Sequence, residues 1–411
     1  MAIGRTESNE LRKYIEALVE GIKMEHGSNQ KKYASVTQIH LEKYNRVIVI
    51  SDIHGDYDGF LGVLEKTAFS DLDALVVVGD IIERGSHSLR LLRLIMEYDK
   101  RENVYILMGN NEDFFLMWCD GKISDAGMHG YLKSKENSIM IDMAEALHMK
   151  YETVEQMASL RQAICENYKR ELQYLRGLPQ IFESEYAVFA HAGLEPGDLD
   201  TQDYEYVLAA PAFYEQPHRF AKKVIVGHWP TSNYCVDRID ANVRWNRETN
   251  VISIDGGNSM KSWRQINYLI LDPKSGNVQS GYYDDLPKIK VLENQEESEH
   301  AFTLVFPNTQ IGYICEKEME SAEDAMHAPD MPAWNKSEYS LCYFPSIEKK
   351  FWIEKERIYD YKGKTYCWDF TTYDLPIKAG EIVSLCSQSK SSVLIKKNGI
   401  VGNYKGSVLF M

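Results

Sequence analysis

Five short stretches of this sequence put metal-ligating side chains directly after an apolar run. Asp52 and His54 stand two apart after RVIVIS. Asp80 closes DALVVVGD, and Arg84 lies four residues on. Asn110, Asn111 and Glu112 follow NVYILMG. His191 follows YAVFA, and His228 follows KKVIVG. Carboxylate oxygens, an amide carbonyl and imidazole nitrogens form a mixed N and O set that suits Mn, Fe or Zn better than Ca. Asp80 has two carboxylate oxygens, enough to bridge two ions. Two such ions, roughly 4 Å apart, activate water and clamp the attacking and leaving oxygens of a displacement at phosphorus. Arg84 presents the planar fork of donors that suits phosphate oxygens. Singly, each residue has a plainer reading: D-x-H recurs by chance, His191 suits a core histidine, Asn110 a turn, Arg84 a surface ion pair. The repetition at five successive run ends favours the metal reading.

The runs that deliver these residues are short and apolar, with helical stretches at 57–68 and 86–99 between them. Strand, polar tip, helix, strand is the signature of an α/β sheet, and functional groups in such sheets gather at the carboxyl ends of strands. On a strand, alternate residues point the same way, which would aim Asp52 and His54 at one ion. Residues 130–176 are charged, rich in Met and Leu and poor in Gly and Pro, and read as a helical insertion. Strands return at YAVFAHAG, KKVIVGHWP, NVISIDGG and INYLILD. The expected organisation is an N-terminal helical segment (1–40), a metal-bearing α/β domain (41–285), a connecting region (286–345) and a small all-β module (346–411). The first rests on Leu11, Ile15, Leu18, Val19 and Ile22 at helical spacing. The connecting region includes MHAPDMPAW, and the last shows β-branched runs and turn signals at 361–363 and 397–399.

A chain of 411 residues exceeds one ordinary domain. Its 44% hydrophobic and 26% charged residues are the balance of a soluble globular protein. A net charge of -15 repels nucleic-acid backbones, so no nucleic-acid partner is expected. It leaves phosphorylated substrates open, because a bound metal pair reverses the local field. Seven cysteines, without a C-x-x-C pair, read as reduced thiols of a cytoplasmic protein. The N-terminal stretch lacks the apolar core of a signal peptide. No run of about 18 apolar residues occurs, so no membrane span is expected.

In combination, Asp52–Gly55, Gly79–Gly85, Gly109–Glu112, His191–Gly193 and Gly227–His228 resemble the calcineurin-like metallophosphoesterases, in particular protein Ser/Thr phosphatases and diadenosine tetraphosphate hydrolases. The resemblance covers about half the chain. It implies a β-sandwich flanked by helices, and hydrolysis by a metal-bridging water. It assigns Asp52, His54 and Asp80 to one ion, and Asp80, Asn110, His191 and His228 to the other. Two positions depart from the family. Asn111 stands where the family has the histidine that protonates the leaving group, and Glu83 where it has the aspartate that orients that histidine. An amide supplies no proton. Either the leaving group needs no acid, or Glu83, Glu112, Asp113 or His87 supplies it, or the protein is a weak or non-catalytic phosphate binder. A second phosphate-binding arginine is expected from the family at Arg219, with Arg238 and Arg244 as alternatives.

The stretch YDLPIKAGEIVSL, followed by SSVLIKKNGIVGNY, resembles a Src-homology-3-like barrel. That resemblance implies a peptide partner gripped by Tyr359, Tyr361, Trp368 and Tyr404; the alternative is that these rings fill the core. Three functions stay open: a protein phosphatase acting on phosphomonoesters, a nucleotide or dinucleoside polyphosphate hydrolase, and a phosphoprotein-binding module without turnover.

Overall fold

A computed structural model describes residues 32–315, 339–361, 363–388 and 393–411. The helical residues expected from Leu11 to Ile22 and the MHAPDMPAW stretch lie outside the described residues. The chain divides into two compact units, one ending at Pro287 and the other comprising residues 232–240 and 288–411.

The first unit opens with β1 (Val36–Gln38), β2 (Val47–Ile50), α1 (Tyr57–Thr67), β3 (Ala74–Val77), α2 (Ser88–Tyr98) and β4 (Val104–Ile106). Five helices follow: α3 (Asn110–Cys119), α4 (Asp125–Leu132), α5 (Ile139–Ala146), α6 (Val154–Asn167) and α7 (Lys169–Gly177). The chain returns through β5 (Ile181–Glu183), β6 (Ala187–Ala190), α8 (Tyr204–Ala209) and β7 (Lys223–Val226). β8 (Ile239–Asp240) belongs to the second unit. β9 (Arg244–Asn246), β10 (Val251–Ser253), β11 (Ile266–Leu271) and β12 (Val278–Tyr283) complete the first. The helical insertion therefore begins at Asn110, earlier than its composition suggested.

Two sheets form. One has the order β12-β11-β2-β3-β4, with β2, β3 and β4 parallel. The other has the order β1-β5-β6-β7-β10-β9, with β6, β7 and β10 parallel. Period two along a strand sends alternate side chains to opposite faces. Val47 and Val49 of β2 pack with Phe189, Ile225 and Ile252 of the other sheet, so this layer is the sandwich core. Ile48 and Ile50 face the other way, into a layer shared with helices α1 to α7. Val224 and Val226 of β7 face a third layer that includes Val207 of α8. Strands covered on both faces read as unbroken apolar runs rather than alternation, which is why these runs were conspicuous in the sequence.

Two expected boundaries move. β1 pairs in parallel with β5, Val36 opposite Ile181, so the first unit is already under way before residue 41. The connecting region is not a linker. β13 (Lys288–Val291) lies between β25 (Val408–Phe410) and β22 (Ile382–Gln388) in a six-stranded sheet that continues through β23 (Val393–Lys397) and β24 (Ile400–Tyr404) to β8. The C-terminal region is all-β, but strands from outside 346–411 complete its largest sheet. Tyr404 is fully buried, and its hydroxyl accepts from Glu293 N at 3.0 Å, so it belongs to the core and not to a peptide groove. Tyr359, Tyr361 and Trp368 are half-buried, with Tyr359 and Trp368 in ring contact at 4.9 Å. Among the described residues, no helix is long and apolar enough to cross a membrane.

Candidate metal centre

Six strand ends, three from each sheet, deliver the site. β2 leads to Asp52 and His54, β3 to Asp80, and β4 to Asn110 at the start of α3. From the other sheet, β6 leads to His191, β7 to His228 and β10 to Asp255. β2 ends at Ile50, so strand alternation does not aim Asp52 and His54 as expected. Both lie beyond the strand with left-handed backbones, φ 52° and 51°. Asp80 and His228 share that conformation at φ 52° and 65°. Such backbone is costly for residues with a Cβ and gathers at functional sites, where the surroundings hold it. Gly79 permits the approach: at φ +81°, an added Cβ would lie 2.7 Å from both His191 Nδ1 and Gly109 Cα.

The ligand atoms converge as two overlapping groups. Asp52, His54 and Asp80 form one; Asp80, His191 and His228 form the other, and within each group the atoms lie inside 4.8 Å of one another. Asp80 is common to both. Asn110 Oδ1 sits 2.9 Å from His191 Nε2 and 2.8 Å from His228 Nδ1. Two rings are tethered through Nδ1 to main-chain carbonyls, His191 to Val78 O at 2.8 Å and His54 to Ile82 O at 3.3 Å. A proton on Nδ1 leaves the Nε2 lone pair to face the cluster. His54 Nε2 is buried without a hydrogen-bond partner. An orphaned imidazole nitrogen among carboxylates is what a metal ligand looks like without its ion. The residues present therefore fit a pair of divalent ions.

Electrostatics within the cluster agree with that use. Burial pushes the Asp52 carboxyl well up, reinforced by Asp255 and Asp80. Burial drives His54 and His228 down to about 3. Burial also opposes charge on Asp80, but the His191 imidazole outweighs it and holds Asp80 below the usual carboxylate range. The Arg84 charge lowers both His54 and His228 further.

Asn111 donates its backbone N–H to Asp80 Oδ1 at 3.0 Å and its side-chain amide to Asp80 Oδ2 at 2.5 Å. It supports a ligand. Three proton-donor candidates are committed elsewhere. Glu83 accepts from Tyr131, Ser138 and the backbone of Ile139. Glu112 accepts from the backbone N–H of Asp80, Ile81, Ile82 and Gly109. Asp113 accepts from the Tyr204 hydroxyl at 2.7 Å. His87 is exposed, its Nδ1 2.8 Å from Ser86 Oγ.

Arg219 is not brought to the site. It precedes the amino end of β7, whereas His228 follows the carboxyl end, and its exposed side chain faces Glu248 at 3.6 Å. Arg238 belongs to the second unit and faces Glu297 at 3.7 Å. Arg244 lies opposite Ser253 at the delivering end of β10, and its Nε donates to Thr231 O at 2.9 Å.

Asp255 was missed. It is fully buried; its Oδ1 accepts from Gly257 N at 2.7 Å and its Oδ2 has no partner. Burial first, and then the Asp80 charge, push it up to about 6 against the pull of the Gly257 amide. The signal was present: NVISIDGG is one more apolar run ending in a carboxylate.

Residues 45–245 match the Calcineurin-like phosphoesterase family. The symmetrical bis(5'-nucleosyl)-tetraphosphatase of Buchnera aphidicola subsp. Acyrthosiphon pisum (strain 5A) is 41% identical over 64 residues, 15% of this chain and 23% of that protein. The protein of that name from Salmonella paratyphi B is 27% identical over 174 residues, 40% of this chain and 51% of that protein. The chain thus spans about half or less of these curated relatives. A solved protein serine/threonine phosphatase from Saccharomyces cerevisiae superposes with a TM-score of 0.39 at 12% identity, covering 67% of this chain and 90% of that one. A cold-active protein-tyrosine phosphatase of a Shewanella species gives 0.36 at 17% identity, with 62% and 88% covered. The family match and the motifs that carry it thus make residues 45–245 similar to the calcineurin-like phosphoesterases.

Proposed function

We propose that the protein is a metal-dependent phosphoester hydrolase that acts on phosphomonoesters, most simply as a protein phosphatase. The observation that supports this reading is Asp80, shared by two three-residue ligand groups that are buried except for the half-buried His228. Asp52, His54, Asp80, Asn110, His191 and His228 would hold the ions, with manganese, iron and zinc as the suitable metals. Bound divalent ions supply Lewis acidity and a nucleophile ionised near neutral pH. The chain itself supplies the rest. Arg84 forks onto the phosphate oxygens, Arg244 is the second arginine at this edge, and Asn111 fixes Asp80. Cysteines read as reduced thiols suit the reducing cytoplasm.

With three acid candidates committed elsewhere, leaving groups that depart without a proton are favoured. A tyrosyl phosphate, whose leaving group is a phenolate, then ranks above a seryl phosphate. The same observation supports a second reading, hydrolysis of a dinucleoside polyphosphate, because a nucleotide phosphate also leaves readily. A screen of Mn²⁺, Fe²⁺ and Zn²⁺ against phosphopeptides, diadenosine tetraphosphate and an aryl phosphate decides between them. Turnover of phosphopeptides above the dinucleotide supports the first. The reverse order supports the second. No turnover with any metal removes both and leaves a phosphate-binding module.

A further inference from the structure

Arg84 sits in a loop that a different part of the chain holds at both ends. Glu83 and Arg84 are successive residues with left-handed backbones, φ 71° and 70°. Two such residues in a row persist only where the surroundings over-determine them. Glu83 is fully buried. Its Oε2 accepts from the Tyr131 hydroxyl of α4 at 2.8 Å. Its Oε1 accepts from the Ser138 hydroxyl at 2.8 Å and from Ile139 N at 3.1 Å, where α5 begins. A carboxylate at a helix start answers both the free N–H groups and the dipole there. At the other end of the loop the roles reverse: Asp142 of α5 accepts from Leu89 N at 2.9 Å, in the first turn of α2.

The middle of the loop lies on the turn that carries the first ligands. His87 N donates to Gly55 O at 3.1 Å. A Cβ on Gly85 would come within 2.0 Å of His54 O, so the two backbones touch. Arg84, half-buried, lies between these fixed points, next to the Gly85 backbone that touches His54.

We infer that the helical insertion sets the aim of Arg84, with Glu83, Tyr131 and Ser138 as positioning residues for phosphate binding. The inference rests on the phosphoesterase reading above. It gives Glu83 a task different from orienting a proton donor. The carboxylate faces the insertion, and Gly85, on the other side of Arg84, touches the His54 backbone.

The experiment is a double-mutant cycle on the full chain, loaded with Mn²⁺. It uses hydrolysis of p-nitrophenyl phosphate and inhibition by inorganic phosphate. The Tyr131→Phe/Ser138→Ala variant should raise KM and the phosphate inhibition constant about tenfold while metal content holds, since misplacing a binding group by about 1 Å costs up to about 10²-fold. On an Arg84→Ala background the same pair should have less than about a twofold effect, because interacting residues are not additive. Ser138→Thr, which keeps the hydroxyl, should restore wild-type KM. Equal losses on both backgrounds, or an unchanged KM in the folded and metal-loaded variant, overturn the inference. Should the double variant not fold, Tyr131→Phe alone is read by the same cycle. A wild type that neither hydrolyses the ester nor binds phosphate removes the phosphoesterase reading, and the inference falls with it. A wild type that does both, with an additive cycle, removes the inference alone.

Discussion

Glu112 holds Asp80 in place by its backbone: Glu112 Oε2 accepts from Asp80 N at 2.9 Å and from Gly109 N at 2.7 Å. Its other oxygen accepts from Ile81 N at 2.9 Å and Ile82 N at 3.1 Å. One buried side chain thus fastens the turn after β3 to the start of α3, which carries Asn110. The carboxylate shared by the two ligand groups is aimed by a residue that is a member of neither.

Glu112→Gln turns one acceptor into a donor against N–H groups that are already donors. A buried, unmatched amide pair costs roughly 2–4 kcal/mol. Denaturant unfolding should show a loss of that size, together with lower metal occupancy. A stability equal to wild type would contradict the fastening role.

Asp80→Asn should keep the fold, bind fewer ions and lose turnover by on the order of 10³-fold, since the shared carboxylate organises both ions. Elemental analysis of the purified protein and a kcat measurement check this. Chelation should act on stability as well, because Asp52, Asp80 and Asp255 are buried within one cluster. Ions at a hundredfold excess over their Kd should stabilise the fold by about 2.7 kcal/mol per site, seen as a fall in Tm on treatment with EDTA.

Leaving-group dependence should be steep. With an amide at 111, rates across a series from nitrophenyl to alkyl phosphates should climb as the leaving group becomes more acidic. Asn111→His should narrow that range by about 10²-fold, within the usual scope of general acid catalysis. An alkyl phosphate cleaved as fast as an aryl one by the wild type would mean that a donor is already present. His87→Ala would then be the variant to lose it.

The two arginines separate by position. Arg244→Ala should raise KM for an aryl phosphate about tenfold, the cost of a charged hydrogen bond of about 1.4 kcal/mol or more. Arg219→Ala should leave KM within about twofold, as an exposed ion pair is worth little. The opposite result would place the phosphate at the other end of the sheet.

Asp142 predicts a pH dependence of stability. Burial pushes its carboxyl up to about 6, against the pull of the Leu89 amide. A raised carboxyl means that the folded state binds the proton more tightly than the unfolded chain. The charged form therefore destabilises the fold above pH 6, and the penalty disappears as pH falls from about 6 through the ordinary carboxylate range. Asp142→Asn should raise Tm at pH 7.5, by an amount on the order of 1 kcal/mol after allowance for partial exposure. The difference from wild type should close by about pH 4.5. A gap that widens on acidification would reverse the assignment.

The candidate metal ligands were legible in the sequence because each follows a buried strand, and such strands are unbroken apolar runs that stop at a polar tip. The order of those tips survives folding, since both sheets point their carboxyl ends at one place. Asp255 ended such a run too, and a strand-tip rule applied evenly would have found it. The helices at 57–67 and 88–98 were equally plain, from apolar spacing between strands. What the sequence by itself determined is therefore the strand-end placement of the candidate ligands, the α/β class and the amide at Asn111.

Tertiary structure decided everything that depends on direction and on distant partners. Local pattern does not say that Glu83 turns toward Ser138, 55 residues away, or that Glu112 collects four main-chain donors. It does not say that Arg219 lies at the wrong end of β7, because sequence proximity to His228 is not proximity across a strand. Nor does it show residues 232–240 leaving the first unit to add β8 beside β24. Each of these outcomes is set by long-range pairing and by which buried polar atom finds a partner, and neither quantity is periodic in the chain.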